Sequence, residues 1–302
     1  MQGGSMNTTR GVAGVLLALL AARCGNGTGP TTTSQTGPKS GQIVFQSTLA
    51  GNPPELLVMD PDGSNLKTLL GGPATYQSPV FSPDGARIAF SSNRDGDFSI
   101  YVMNRDGTGV ARVTGPGAYD DSPSWSPDGS RLVFSRSFSL GEALMVVNVD
   151  GTGETALTQV VTSGYLDWPA WSPDGTKIAY TGGGTPHIYV MNADGSGAMA
   201  LPGFATDTVD HATWSPDGAR LAVHNLAHGI VVMNADGSNP VALLPGGAYG
   251  TEPAWSPDGA YIVFTKVYPG SPRIVRIKAD GSGEVELTTG TGAVDGHPSW
   301  SH

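Results

Sequence analysis

The chain has 302 residues, 38% of them hydrophobic and only 14% charged, with 44 glycines and 23 prolines. This composition describes a globular, turn-dense protein and argues against both a disordered chain and a bundle of long amphipathic helices. A formal charge of −10, with no basic cluster anywhere in the chain, argues against nucleic acid as a partner.

At the N-terminus, Arg10 precedes an apolar run from Val12 to Leu20, and small residues then lead to Cys24, the only cysteine. Residues 1–24 are expected to be a secretory signal peptide, because the run is too short to span a bilayer. A single cysteine can form neither an intramolecular disulfide nor a Cys-based zinc site. The segment resembles a bacterial lipoprotein signal with Cys24 as the lipidated residue, although Ala21 and Arg23 depart from that pattern. An ordinary cleaved signal is the alternative. Residues 25–41 are rich in Gly, Thr, Ser and Pro and are expected to form a flexible tether.

Beyond the tether the chain repeats itself. "FSPDG" at 81–85 is followed by "WSPDG" at 125–129, 171–175, 214–218 and 255–259, and "WSH" closes the chain at 300–302, so the steps are 44, 46, 43, 41 and 45 residues. A second turn signature places Gly63, Gly107, Gly151, Gly195, Gly237 and Gly281 at steps of 44, 44, 44, 42 and 44. Within one unit, residues 121–158, four short apolar runs alternate with Gly or Pro punctuation, which predicts four strands in an antiparallel meander. In "SPDG" the proline presets φ, the aspartate accepts from nearby amides and the glycine takes the left-handed conformation, so a hairpin joins the first strand to the second. These turns also explain much of the acidity, since 11 of the 26 acidic residues are the aspartates of the two repeated turn signatures.

A unit of about 44 residues with two apolar faces must stack on its neighbours, and blades around a channel do that. The predicted fold is therefore all-β, a six-bladed β-propeller over residues 42–302. The aromatic residue of each signature (Phe81, Trp125, Trp171, Trp214, Trp255, Trp300) is expected to pack between blades rather than to stack on a ligand. No first strand precedes Gln42, and the segment 297–301 has no second strand after it. The C-terminal strand is therefore expected to complete the first blade and close the ring.

The "WSPDG" turns, with "IAFSS" and "IYVMNADG", resemble the TolB-like propellers built from WD-like repeats, and the resemblance covers residues 42–302. It implies an exported, periplasmic or membrane-anchored protein of the bacterial cell envelope that binds other proteins. It says little about chemistry, because propellers host many unrelated activities. The chain is expected to be a monomer that touches a membrane only through a lipid anchor at Cys24.

The uniform turns share one face of such a ring, and the variable loops share the other, where function is expected. No GxSxG, HExxH or phosphate-loop motif occurs, and no catalytic residue can be named. The connections into the first strands carry Asp120, Asp121, Asp167, Trp168, Asp210, His211, Glu252, Asp295 and His297, which are expected to ring one mouth of the channel. Asp121, Asp167 and Asp210 occupy equivalent places in three successive units and would suit a calcium ion or a basic peptide. Acids that merely cap turns and face water are the alternative. The leading function is a non-catalytic interaction scaffold; the others are a binder of a small molecule, glycan or metal ion, and a lyase or hydrolase working at the channel mouth.

Overall fold

A computed structural model describes residues 41–49, 52–204, 207–244, 249–267, 271–289 and 292–301. The expected signal peptide, Cys24 and the tether up to residue 40 lie outside the described residues.

Twenty-four strands form six four-stranded antiparallel sheets, and no helix occurs among the described residues. Blade 1 is a composite: Ala293–Trp300 forms its inner strand and pairs with Ile43–Leu49, with Trp300 opposite Ile43 and Asp295 opposite Ser47. Ser301 continues the closure, because its backbone N–H donates to the Gln42 carbonyl at 2.8 Å and its hydroxyl accepts from the Gln42 N–H at 2.7 Å. Blades 2 to 6 follow in chain order, with inner strands Tyr76–Phe81, Tyr119–Trp125, Tyr165–Trp171, Val209–Trp214 and Gly250–Trp255.

The core is six layers rather than one. Each hydrophobic cluster joins two adjacent blades, as where Val263, Ile274 and Leu287 of blade 6 meet Ile43, Phe45, Met59 and Trp300 of blade 1. The two-residue period of a strand explains this: Ile43 and Phe45 face blade 6, while Val44 between them faces blade 2. The signature aromatics lie in these layers. Phe81, Trp125, Trp171, Trp255 and Trp300 are buried, and Trp214 is half-buried. The indole N–H groups of Trp125, Trp214 and Trp255 donate to the carbonyls of Val80, Ala170 and Thr213 on the preceding inner strand, at 3.1, 3.1 and 3.3 Å. Arg87 and Arg220 cover the Trp125 and Trp255 rings, each 4.7 Å from the centroid.

The repeated turns have the chemistry that their residues dictate. In the first "SPDG" turn, Gly85 at φ 65° donates to the Ser82 carbonyl at 2.8 Å, and Asp84 accepts from the Ala86 N–H at 3.0 Å. Ser82 is buried and clamps the hairpin, donating to Asp84 and accepting from the Arg87 N–H at 2.9 Å. Glycine in the second signature is required twice over. Gly195 has φ 87°, and a Cβ there would lie 2.3 Å from the Leu157 carbonyl oxygen of its own blade's predecessor in the chain.

Candidate functional site in the channel

Each inner strand is broken once. In blade 3, Asp121 pairs with Ser135 and Ser124 with Val133, so three steps on the inner strand match two on its neighbour. The same β-bulge recurs in blades 2, 4, 5 and 6, and blade 1 has an irregularity at the corresponding level. At this point one residue per blade takes a left-handed backbone: Ser78, Ser122, Trp168, His211, Glu252 and His297, with φ between 49° and 56°. Proline follows in five blades and Ala212 in the other. Proline has no N–H to leave unpaired at a bulge, which is why it is tolerated in these inner strands. Left-handed backbone costs a non-glycine residue about 1–2 kcal/mol. Here it turns all six side chains into the lining of one cavity.

That cavity has a volume of about 480 Å³ and reaches from the six bulge residues to Pro83, Pro127, Pro173, Pro216 and Pro257 of the "SPDG" turns. It therefore lies on the uniform-turn side of the bulge ring, the side that the sequence pattern marked as structural. One arc of the ring is small, Ser78 and Ser122. The remainder is chemically rich: the Trp168 and His211 rings stack with centroids 3.6 Å apart, the His211 and His297 rings are 6.0 Å apart, and His297 Nε2 lies 3.0 Å from Glu252 Oε1.

Fixed partners hold these groups. Asp210 Oδ1 lies 2.9 Å from His211 Nδ1 and 2.7 Å from His224 Nδ1. Burial opposes ionisation of Asp210, but the hydrogen bonds from the two histidines outweigh it and hold the carboxyl well below its ordinary value. Glu252 Oε2 accepts from the Thr265 hydroxyl and from the His297 N–H, both at 2.7 Å. Burial likewise pushes Glu252 up, and the adjacent His297 and His211 pull it below its ordinary value.

The residues expected at one mouth separate into three groups. Trp168, His211, Glu252 and His297 line the cavity, with Asp210 behind them. Asp121 and Asp167 lie one residue before the bulge and accept the N–H groups of Ser122 and Trp168, both at 2.7 Å. Asp121 also accepts from Gln77 at 2.6 Å. Burial raises the Asp121 carboxyl, and the charge of Asp167 raises it further. Asp120 and Asp295 do not reach the channel. Asp120 is fully buried and grips the Arg136 guanidinium at 2.6 and 2.8 Å, and Asp295 is buried against the Ser47 hydroxyl at 2.6 Å. His224, which no motif in the sequence singles out, joins these groups through Asp210. The signal for it is pairing, because Asp210 and His224 face each other across the first hairpin of blade 5.

A closed ring of six meanders, with one varied residue per blade turned into the channel, defines a six-bladed β-propeller. The chain belongs to the TolB beta-propeller domain family, whose model matches residues 20–167 and 120–302. Among solved structures it is similar to TolB from Acinetobacter baumannii (22% identity, TM-score 0.77, 87% of this chain and 67% of that one). It is also similar to a putative TolB from Agrobacterium tumefaciens (19%, 0.66, 86% and 99%) and to hydrazine synthase of Kuenenia stuttgartiensis (16%, 0.73, 87% and 47%). At these identities the likeness establishes the fold alone, and the names attached to it span unrelated activities.

Proposed function

We propose that this propeller is a non-catalytic, extracytoplasmic interaction scaffold of the bacterial cell envelope that holds a protein partner against its variable-loop face. One observation carries the reading. Nine of the twelve large hydrophobic side chains exposed among the described residues lie in second turns or inter-blade connections or at the strand ends beside them, toward that face: Tyr119, Phe138, Leu140, Val160, Tyr165, Leu226, Tyr249, Val267 and Val294. Apolar groups exposed toward one face, with aromatic residues among them, suit an interaction surface. Asp121 and Asp167, on the inner strands one residue before the bulge, would add negative charge that favours a Lys- or Arg-bearing segment. Membership of the TolB family supports the envelope setting, and the sequence before Cys24 supports export.

Crosslinking in intact cells that produce the full chain, followed by mass spectrometry, tests this. One dominant protein partner is expected, and it should be lost from a Leu140→Asp, Tyr165→Asp double variant that stays folded. An unchanged crosslinking pattern in that variant would overturn the scaffold reading. The cavity on the opposite side of the bulge ring favours a second capacity that does not depend on the scaffold.

A further inference from the structure

Among the described residues, two groups of three metal-ligating side chains have ligand atoms within 4.8 Å of one another: Asp210, His211 and His224, and His211, Glu252 and His297. In the first trio both Nδ1 atoms converge on one oxygen, Asp210 Oδ1, at hydrogen-bond distance, and His224 Nε2 is buried without a partner. In the second, Glu252 Oε1 and His297 Nε2 meet at 3.0 Å and His211 adds a nitrogen that Asp210 does not occupy. With His211 Nδ1 engaged by Asp210, the proton belongs on Nδ1 and the lone pair on Nε2, and His211 Nε2 is buried with no hydrogen-bond partner. An unpaired buried ring nitrogen is costly unless something binds it.

We propose that His211, Glu252 and His297 form a binding site for one divalent transition metal of the zinc type, in the channel and facing its cavity. Two neutral imidazoles and one carboxylate are the donor set that such ions take, whereas calcium takes oxygen ligands. Two ligand atoms that share a zinc ion at about 2.1 Å lie about 3.0–3.4 Å apart, and Glu252 Oε1 and His297 Nε2 are 3.0 Å apart. The outer groups suit the role as well. A carboxylate on the far nitrogen of a ligating histidine fixes its tautomer and orientation, and Asp210 holds His211 in that way while Trp168 stacks on the ring. Thr265 and the His297 N–H occupy Glu252 Oε2 and leave Oε1 for the ion. Three protein ligands leave a fourth position open toward a cavity of about 480 Å³, the arrangement of a site that takes an exogenous ligand rather than one that only staples a fold.

The test uses the full-length protein stripped with a chelator and titrated with zinc chloride by calorimetry, with cobalt(II) absorption as a second readout of the ligand set. One equivalent of zinc is expected, with a cobalt spectrum of low coordination number. His297→Gln and Glu252→Gln should each weaken zinc binding at least tenfold. Asp210→Asn, a positioning change, should weaken it by about 10- to 100-fold, while Asp121→Asn should leave it unchanged. Failure of the unsubstituted protein to bind one equivalent would overturn the proposal whatever the variants do. Full zinc affinity in a folded His211→Gln, His297→Gln double variant would overturn it too, as would calcium binding in preference to zinc with loss in Asp121→Asn.

Discussion

Two positions on every inner strand, only three residues apart, behave in opposite ways. The position at the strand end is Phe81, Trp125, Trp171, Trp214, Trp255 and Trp300, nearly constant, and it packs between blades. The position at the bulge is Ser78, Ser122, Trp168, His211, Glu252 and His297, four residue types in six places, on a backbone that is the same in all six blades to within a few degrees of φ. Uniform backbone with uniform side chains signals a packing requirement. Uniform backbone with divergent side chains means that geometry is shared while chemistry is free, and there the blades differ in what they offer a ligand.

The largest expected effect falls on the constant position. Deleting residues 297–302 removes Trp300 from its layer with Ile43, Phe45 and Val263 and strips Gln42 of its closing hydrogen bonds. Loss of the Trp300 packing alone should cost about 3–5 kcal/mol, read as a large drop in melting temperature or as failure to fold. A truncated protein as stable as the full chain would break the contrast at its strongest point.

Acid should act on the repeated face next. Ten turn aspartates, Asp84 and Asp128 among them, are held below their ordinary value, Asp128 at about 2, first of all by hydrogen bonds from the neighbouring serine or threonine hydroxyl. A carboxyl whose folded pKa is depressed contributes stability above its unfolded pKa and loses it as pH falls through the folded value. Thermal melts should therefore show stability declining from about pH 4 toward pH 2. A melting temperature that stays level over that window would mean that these turn bonds contribute nothing.

A single turn glycine sharpens the same point. Gly195→Ala combines φ 87° with a Cβ 2.3 Å from a carbonyl oxygen, so backbone must move. The expected loss is about 2 kcal/mol by denaturant titration, with zinc binding unaltered because the turn lies away from His211, Glu252 and His297.

Most of the architecture was legible in the chain because it depends on local chemistry repeated six times. The "SPDG" hairpins, the four-strand unit and the C-terminal strand completing blade 1 all follow from spacing. The channel was legible by residue but not by grouping. His211, Glu252 and His297 stand out as polar residues beside the inner strands, yet simple alternation aligns Asp121, Asp167 and Asp210 instead. The bulge inserts one residue and turns the next position into the cavity, and no periodicity announces it. Asp120 and Asp295 were misplaced for a related reason. Their partners Arg136 and Ser47 lie directly opposite on the paired strand, which becomes visible only once the register is known.

The smallest expected effect has the opposite sign. Asp121 ionises against burial and against the charge of Asp167, so its folded pKa is raised. A carboxyl with a raised pKa binds its proton more tightly in the native state than in the unfolded chain, so its ionisation at neutral pH counts against folding. Asp121→Asn keeps an oxygen for the Ser122 N–H, now met at 2.7 Å, and the Gln77 amide can turn over to suit the new side chain. The variant should melt higher than the unsubstituted protein at pH 7, by about 1–3 °C. That advantage should shrink as pH falls, because the unsubstituted protein then takes up the proton that relieves it. Crosslinking to a basic partner should weaken in the same variant and lose part of its salt sensitivity. A lower melting temperature at neutral pH would show that Asp121 is retained for the hydrogen bond across its bulge, and its charge would then drop out of the account of the variable face.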